Sequence, residues 1–257
     1  MIHPTAIIHP GAQLHESVRV GPYSVIDEHV TVGAGCELAP HVHLTGHTTI
    51  GAENRFHTGC VIGDAPQDLK YSGEPTRLIV GDRNLFREHV TIHRSNSPDE
   101  DTRIGSENFF MANSHVGHNS IIGNKVILAN GVLIAGHAMI GDGAFIAGNA
   151  VVHQFCRVGT MAMMQGCAGV SLDLPPFTIV RGINGMCGLN SVGLKRAGFS
   201  AKERSQLKKA YHAIFLSDDL LKDALEKARG EFTGVLAEQL IDFVATSQRG
   251  TCSHTKR

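Results

Sequence analysis

Large apolar residues recur at every sixth position through the first two thirds of the chain. From Ile2 to Val170, 26 of the 29 positions at this spacing are aliphatic, Met or Phe. A period of six matches neither an α-helix, with about 3.6 residues per turn, nor an alternating strand, with about two. It predicts a coil of short strands joined by corners, in which the large residue points inward and small residues or Gly occupy the corners.

Two polar segments interrupt this repeat. The positions that break the pattern are Asp68, Glu74 and Pro98, and they lie among turn-forming residues. We predict that these segments form loops over residues 66–79 and 94–103. Loops on a rigid scaffold often carry function, so both are candidates for a site.

The pattern changes to a helical period from about Ser191. Ser200 followed by Glu203 is a capping box before an amphipathic run, and two further helical segments follow it. We therefore predict a repeat domain over residues 1–187 and a small α-helical C-terminal domain over residues 188–257. The tail from residue 249 onwards is predicted to be disordered.

Composition narrows the classes of function. The net charge of -1 argues against a protein that binds nucleic acid or a membrane surface through bulk charge. No apolar run reaches the length of a membrane span and no leader pattern is visible, so we expect a cytoplasmic protein. None of the six cysteines forms a C-x-x-C pair, which favours reduced thiols in the core over zinc ligands or disulfides.

The repeat resembles that of the hexapeptide-repeat acyltransferases. This resemblance implies an all-β left-handed parallel β-helix with three hexads, or about 18 residues, per coil. Residues 18 apart then stack, which places His118, Gly136 and Gln154 in one outward-facing column. His115 is expected across one corner from that column. A histidine base beside an unobstructed backbone amide can activate a hydroxyl group and stabilise an oxyanion.

A column on a convex face needs a second wall before it forms a pocket. A symmetry-related subunit is the simplest source of that wall. We therefore predict a cyclic homo-oligomer with sites between subunits. A polar subunit interface without chemistry is the alternative interpretation of the same histidines.

Longer motifs resemble one family in particular, and they cover nearly the whole chain. They are "QDLKYSGEPTRLIVGDRN", "VTIHR", "NSHVGHNSIIGN", "LIAGH", "VVHQFC", "LDLPPF" and "GLKRAGFS". The resemblance is to the acyl-carrier-protein–UDP-N-acetylglucosamine O-acyltransferases. It implies transfer of a 3-hydroxyacyl chain from acyl carrier protein to the glucosamine 3-hydroxyl of UDP-N-acetylglucosamine, the first step of bacterial lipid A biosynthesis. It also implies a homotrimer, with no metal and no organic cofactor beyond the carrier-bound donor.

The resemblance implies a role for each matched residue. His118 matches the general base, and Gly136 matches the residue whose backbone N–H faces the oxyanion. Gly166 matches a position that limits acyl-chain length, and the missing side chain there implies a long chain of the hydroxymyristoyl kind. The remaining matched residues are expected to contact substrate, and they are Gln67, Asp68, Lys70, His115, His137, His153, Gln154, Asn190 and Arg196.

Three positions depart from the family pattern. Asn119 follows the base where the family often has Asp. Val192 and Ala197 stand where a Glu and a second Arg are usual near the uridine. A related set of enzymes acylates a 3-amino analogue of the sugar nucleotide, so amide formation at the same site is an alternative.

Two other classes of function remain alternatives, a non-enzymatic β-helix scaffold and a γ-carbonic-anhydrase-like zinc hydratase. The hydratase would bind zinc through three histidines across a subunit interface, and the spacing of His89 and His93 and of His115 and His118 is compatible with such ligands. For the acyltransferase, the acidic carrier implies a docking surface on basic side chains of the helical segment. These side chains, which also fit an ordinary solvated helix face, are Lys195, Arg196, Lys202, Arg204, Lys208 and Lys209.

Overall fold

The hexads wind into a coil with three flat faces, each a β-sheet that is parallel except where Thr178–Arg181 pairs antiparallel with Gly185–Leu189 in the third sheet. The computed structural model describes residues 1–255, so Lys256 and Arg257 lie outside the described residues. Each hexad contributes a short strand, whose first residue faces outward and whose second is buried, followed by a corner. Parallel strands on successive coils pair in register, with Ile7 beside Val25 and Val116 beside Ile134. The six-residue period therefore produces the predicted polygonal coil.

The strands of each sheet follow one another along the coil axis. The first sheet contains Ile7–Ile8, Val25–Ile26, His43–Leu44, Val61–Asp64, Thr91–His93, His115–Val116, Leu133–Ile134, Val151–Val152 and Gly169–Val170. The second sheet contains Gln13–Leu14, Thr31–Val32, His47–Ile50, Arg77–Val80, Asp101–Ile104, Ile121–Ile122, Met139–Ile140 and Arg157–Val158. The third sheet contains Arg19–Val20, Glu37–Leu38, Arg55–Phe56, Leu85–Phe86, Phe109–Phe110, Ile127–Leu128, Phe145–Ile146, Met163–Met164, Thr178–Arg181, Gly185–Leu189 and Ser253–His254.

The core is a set of ladders in which like residues stack on like. Phe56, Phe86 and Phe110 are fully buried, and their rings stack in parallel with centroids 4.7 and 4.9 Å apart. Burying each large apolar side chain contributes about 1.5–3 kcal/mol. Because every coil supplies three such residues, most of the interior is apolar. The buried polar residues include Asn54, Asn84 and Asn108, which are linked by hydrogen bonds.

Two coils are longer than the rest because loops leave the wall. Arg77 pairs with His47 on one side and with Asp101 on the other. Both partners are separated from Arg77 by more residues than strand partners are in the regular coils. The loops occupy residues 65–76 and 94–100, so both are shorter than predicted. The prediction that residues 77–79 and 101–103 lie in loops was wrong. These residues belong to four-residue strands, in which Leu78 and Thr102 pair and are buried.

The C-terminal segment forms four helices: α1 (Ser191–Arg196), α2 (Ala201–Phe215), α3 (Leu221–Glu231) and α4 (Val235–Ala245). The predicted capping box is present, since the Ser200 hydroxyl accepts from the Glu203 backbone and the Glu203 carboxylate accepts from the Ser200 backbone. Helix α2 packs against α3 and α4 around buried Leu207, Leu236 and Leu240. Within residues 1–255, every helix is too short or too polar to span a bilayer.

The chain returns to the sheet after its last helix. Ser253–His254 pairs with Gly185–Leu189, and Cys252 is fully buried. The prediction of disorder was therefore wrong for residues 249–255, because the buried Cys252 side chain and sheet hydrogen bonds hold this segment. The same prediction for residues 256–257 falls outside the described residues. The predicted domain boundary between residues 187 and 188 lies inside the strand Gly185–Leu189. The division into two domains stays a prediction.

Candidate active site

The register of the first sheet places three polar corners above one another. His115–Val116 pairs with Leu133–Ile134, which pairs with Val151–Val152. The corners that follow these strands therefore stack His118, Gly136 and Gln154 in one column. His115 lies on the strand before the corner and faces outward beside the column, so the expectation that a corner separates it from His118 was wrong.

A cavity of about 760 Å³ lies along this column within a single chain. Its lining includes six of the residues matched to the acyltransferase family, namely Gln67, His115, His118, Gly136, His153 and Gln154. Gln67, from the loop 65–76, and Ile183 supply walls that the column alone lacks. Leu133 and Val151 add exposed apolar surface on the first sheet. The site therefore joins a polar corner to an apolar face.

His118 lies close to Asn119, its neighbour in the sequence, and to Gly136, which stacks on it from the next coil. Its Nδ1 lies 2.8 Å from the side-chain oxygen of Asn119. On the other edge of the ring, a methyl group placed on Gly136 would lie only 2.8 Å from Nε2. A larger residue at position 136 would therefore force the His118 side chain to shift. The Gly136 N–H donates no hydrogen bond to any group in residues 1–255, which leaves it available to an oxyanion.

His93 and His115 lie beside His118, and both have lowered pKa values. The Thr91 hydroxyl lies 2.7 Å from His115 Nδ1, and burial, with His93 and His118 nearby, lowers the pKa of His115 to about 4. Burial also lowers the pKa of His93, whose ring meets that of His115 edge-on with centroids 4.8 Å apart. His93 Nδ1 is buried and has no hydrogen-bond partner within residues 1–255. Both imidazoles are therefore uncharged at neutral pH.

His93 was not among the residues expected to contact substrate. Its strand precedes the loop 94–100, so Ile92 pairs with Val116, which lies farther along the chain than the regular coil length would place it. A constant coil length therefore does not place His93 beside His115 and the column. The one available signal was the matched motif "VTIHR", which ends immediately after this residue.

His137 lies next to the cavity on the following corner column. Its ring meets His118 edge-on with centroids 5.2 Å apart and stacks on Phe155 at 4.6 Å. Burial, and then the neighbouring His118, lower the pKa of His137. Its Nδ1 is 3.8 Å from the Glu100 carboxylate. His153 is exposed, and its Nδ1 lies 3.2 Å from the Gln154 carbonyl oxygen.

The two loops are joined in front of the column. Asp68 accepts from the Lys70 backbone N–H at 3.0 Å and from the Asn96 side chain at 2.7 Å. These two bonds, the Lys70 amide foremost, lower the pKa of Asp68. The Lys70 side chain is exposed at the outer edge of the loop. An ionised carboxylate on the loop 65–76 is therefore hydrogen-bonded to the loop 94–100 through Asn96.

Besides Asp68, Lys70 and His137, three more of the predicted residues do not line this cavity of the single chain. Gly166 is an exposed corner between the third and first sheets. Asn190 caps α1, accepting from Gly193 at 3.0 Å and donating to the Met161 carbonyl at 2.9 Å. Arg196 is exposed in the last turn of α1. Their predicted substrate contacts remain proposals that involve a second subunit.

The histidines of the site do not form a metal-binding set. No group of three or more His, Cys, Asp or Glu side chains in the described part of the chain is arranged to hold a metal ion. The donor atoms instead pair with hydroxyl and amide groups, as at Thr91 and Asn119. This geometry gives no support to the zinc hydratase alternative.

Family models and curated relatives agree on one group of proteins. A model described as UDP-N-acetylglucosamine O-acyltransferase, domain 2, matches residues 173–252, and the bacterial transferase hexapeptide model matches residues 11–46 and 101–136. The acyl-[acyl-carrier-protein]–UDP-N-acetylglucosamine O-acyltransferase of Myxococcus xanthus is 44% identical over 97% of this chain and 98% of its own length. The corresponding Anaeromyxobacter enzyme is 45% identical with the same coverage.

The chain belongs to the acyl-[acyl-carrier-protein]–UDP-N-acetylglucosamine O-acyltransferase family. Solved structures agree with this assignment. The UDP-N-acetylglucosamine acyltransferase of Francisella novicida superposes with a TM-score of 0.94 at 35% identity, over 100% of this chain and 95% of its own. The Bacteroides fragilis enzyme gives 0.94 at 38% identity, over 98% and 99%. The predicted left-handed parallel β-helix with C-terminal helices is confirmed.

Proposed function

We propose that this enzyme transfers a 3-hydroxyacyl chain from acyl carrier protein to the glucosamine 3-hydroxyl of UDP-N-acetylglucosamine, the first step of lipid A biosynthesis. The relatives that support this proposal carry the corresponding printed name over nearly their full length. The observation that carries it is the contact between His118 Nε2 and the Gly136 corner at the edge of an apolar face. His118 Nε2 can accept a proton there, and the neighbouring Gly136 N–H can stabilise a negative charge that develops on the substrate.

The proposed reaction needs one base and one oxyanion donor. His118 Nε2 accepts the proton of the sugar 3-hydroxyl, and the oxygen attacks the thioester carbonyl carbon, forming the new C–O bond. The Gly136 N–H stabilises the tetrahedral oxyanion. The intermediate then collapses with cleavage of the C–S bond, and the imidazolium returns its proton to the departing carrier thiolate.

A paired acceptor assay tests the proposal directly. UDP-N-acetylglucosamine and its 3-amino analogue are each supplied with one long-chain 3-hydroxyacyl carrier protein, and the product is identified by mass spectrometry. We expect ester formation on the 3-hydroxyl acceptor. Efficient acylation of the amino analogue alone would overturn the assignment in favour of amide formation.

We assign the long-chain preference to Gly166. A methyl group on Gly166 would meet only the Gly148 carbonyl oxygen, at 3.5 Å, so the corner has room for an acyl chain to pass. A donor series that differs in chain length tests this assignment. A clear preference for a ten-carbon donor over the hydroxymyristoyl donor would overturn it.

The active assembly is proposed to be a homotrimer with sites between subunits. Outward-facing Ile121, Leu133, Met139 and Val151 leave exposed apolar surface on two adjoining sheets beside the site. Mixing two inactive variants tests the shared site. His118→Ala and Arg196→Ala chains, unfolded and refolded together, regain activity if the two residues come from different subunits. Sedimentation gives the assembly state independently.

Acyl carrier protein is proposed to dock on the helical segment. Lys202, Lys208 and Lys209 are exposed along α2 and supply positive charge for an acidic partner. Reversing these three charges to Glu is expected to raise KM for the carrier-bound donor with little change in KM for the sugar nucleotide. An unchanged KM for the donor would remove α2 from the docking surface.

We propose that the enzyme works in the bacterial cytoplasm and without a metal or organic cofactor. The site supplies both required groups from its own chain, His118 Nε2 and the Gly136 N–H. Treatment with a chelator, followed by dialysis, is expected to leave kcat unchanged. Loss of activity that stoichiometric zinc restores would contradict the proposal and revive the hydratase alternative.

A further inference from the structure

The side-chain amide of Asn119 bridges the proposed base and a carboxylate. Its oxygen lies 2.8 Å from His118 Nδ1, and its nitrogen donates to Glu100 at 2.7 Å. We infer that Glu100 positions His118 through the Asn119 amide and so supplies the carboxylate that residue 119 lacks. This inference rests on the proposed function, because it assigns His118 as the base.

The orientation of the Asn119 amide follows from its other partners. The Asn96 backbone N–H can only donate, and it lies 3.0 Å from the Asn119 side-chain oxygen. An ionised carboxylate can only accept, so Glu100 must face the amide nitrogen. The amide oxygen therefore faces His118 and accepts its Nδ1 proton. This leaves the Nε2 lone pair directed toward Gly136, which is the tautomer a general base requires.

The carboxylate acts on the base through the amide bond. As His118 gains a proton, positive charge develops on the ring and strengthens the bond from Nδ1 to the Asn119 oxygen. The negative charge of Glu100 beside the amide nitrogen shifts electron density toward the amide oxygen. The more negative oxygen then stabilises the positive charge on the His118 ring. Glu100 also lies near the rim of the cavity, 3.8 Å from His137 Nδ1.

The loop 94–100 builds this arrangement around a strained corner. Asn119 has a φ of 58°, in the left-handed region that Asn tolerates better than most residues, and its N–H donates to the Thr102 hydroxyl at 2.7 Å. The loop adds Ser95, whose hydroxyl accepts from the Asn119 amide at 2.9 Å. The extra length of this coil thus surrounds a single side chain with matched partners.

Four variants separate positioning of the base from support of the loop. Glu100→Gln keeps the shape and one acceptor but removes the charge, and Asp99→Asn removes a neighbouring exposed charge as the matched control. Asn119→Asp puts a carboxylate directly beside His118, and Asn119→Asp combined with Glu100→Gln transfers the carboxylate from residue 100 to residue 119. Each protein is assayed for kcat and for KM of both substrates, and its Tm is recorded.

Glu100→Gln is expected to lower kcat about tenfold with KM unchanged, because hydrogen bonds to a charged acceptor are about twice as strong as neutral ones. Asp99→Asn is expected to match the wild type. In the Asn119→Asp background, which is expected to be active, Glu100→Gln is expected to change kcat by less than about twofold, so the two substitutions are not additive.

Several results overturn the inference. They are a Glu100→Gln kcat equal to that of Asp99→Asn, an equal loss of kcat in both backgrounds, an effect on KM or Tm alone, or an inactive Asn119→Asp enzyme. The proposed function is tested separately by the wild type. A wild type that transfers no acyl chain contradicts the function, whereas an active wild type with an insensitive Glu100 contradicts only the positioning role.

Discussion

Gly136→Ala tests the close approach of His118, the proposed base, to the neighbouring corner. The new methyl carbon would lie 2.8 Å from His118 Nε2 and 2.9 Å from Cε1. Ordinary contact between such atoms is about 3.5 Å, so the imidazole must recede by about 0.7 Å. Because a displacement of about 1 Å can cost about 100-fold in rate, we expect kcat to fall about 30-fold, equivalent to about 2 kcal/mol.

Stability is expected to change little in this variant. The φ of Gly136 is not in the left-handed region, so alanine fits the backbone, and the clash is with a side chain that can move. Gly148→Ala is the matched control, since its methyl group would meet only the Asn130 carbonyl oxygen at 3.4 Å. Initial rates with saturating donor and acceptor, and thermal unfolding curves, are measured for both. A Gly136→Ala enzyme with wild-type kcat would refute the close approach of His118.

Two further predictions concern pH and chain length. Burial lowers the pKa of His115 to about 4 from an unfolded value of about 6.5, so the unfolded chain binds more protons and stability is lost as pH falls below 6.5. Between pH 7 and pH 5, wild type is expected to lose about 2 kcal/mol more than His115→Gln in guanidinium unfolding, and equal losses would contradict the neutral state of His115. Gly166→Leu is expected to shift donor preference toward shorter acyl chains in a thioester series, and an unchanged preference would remove Gly166 from the acyl path.

The apolar period alone predicted the wall of the coil. Positions such as Phe56, Phe86 and Phe110 are buried because a large residue at every sixth position points into the coil on each face. The same phase placed His118 and Gly136 on outward corners. They are in contact because successive strands pair in parallel and in register, so that residues 18 apart in the sequence stack on each other.

The spacing fails wherever a coil changes length. The loop 94–100 lengthens its coil, so the neighbours of His118 on that side were not predictable from a constant period. His93 and Glu100 approach the site for this reason. Polar loop residues carry little periodic signal, because their positions depend on hydrogen bonds such as those of Asn96 and Asn119 rather than on burial.

The C-terminal segment shows a second limit of pattern-based reasoning. The capping box at Ser200 is a local interaction and was predicted correctly. The strand Ser253–His254 was not predicted, because its pairing partner Gly185–Leu189 precedes all four helices and is distant in the sequence. A short polar segment that completes a distant sheet edge looks like a disordered tail when it is considered alone.

The most direct test of the account is the rate of acyl transfer by His118→Ala. Wild type and variant are compared in single-turnover transfer from 3-hydroxyacyl carrier protein to UDP-N-acetylglucosamine, with His29→Ala, an exposed histidine on an early coil, as control. Loss of the general base is expected to lower the rate about 100- to 10,000-fold, while the control matches the wild type. A His118→Ala enzyme that transfers the acyl chain within a few-fold of the wild-type rate would contradict the central role of this residue.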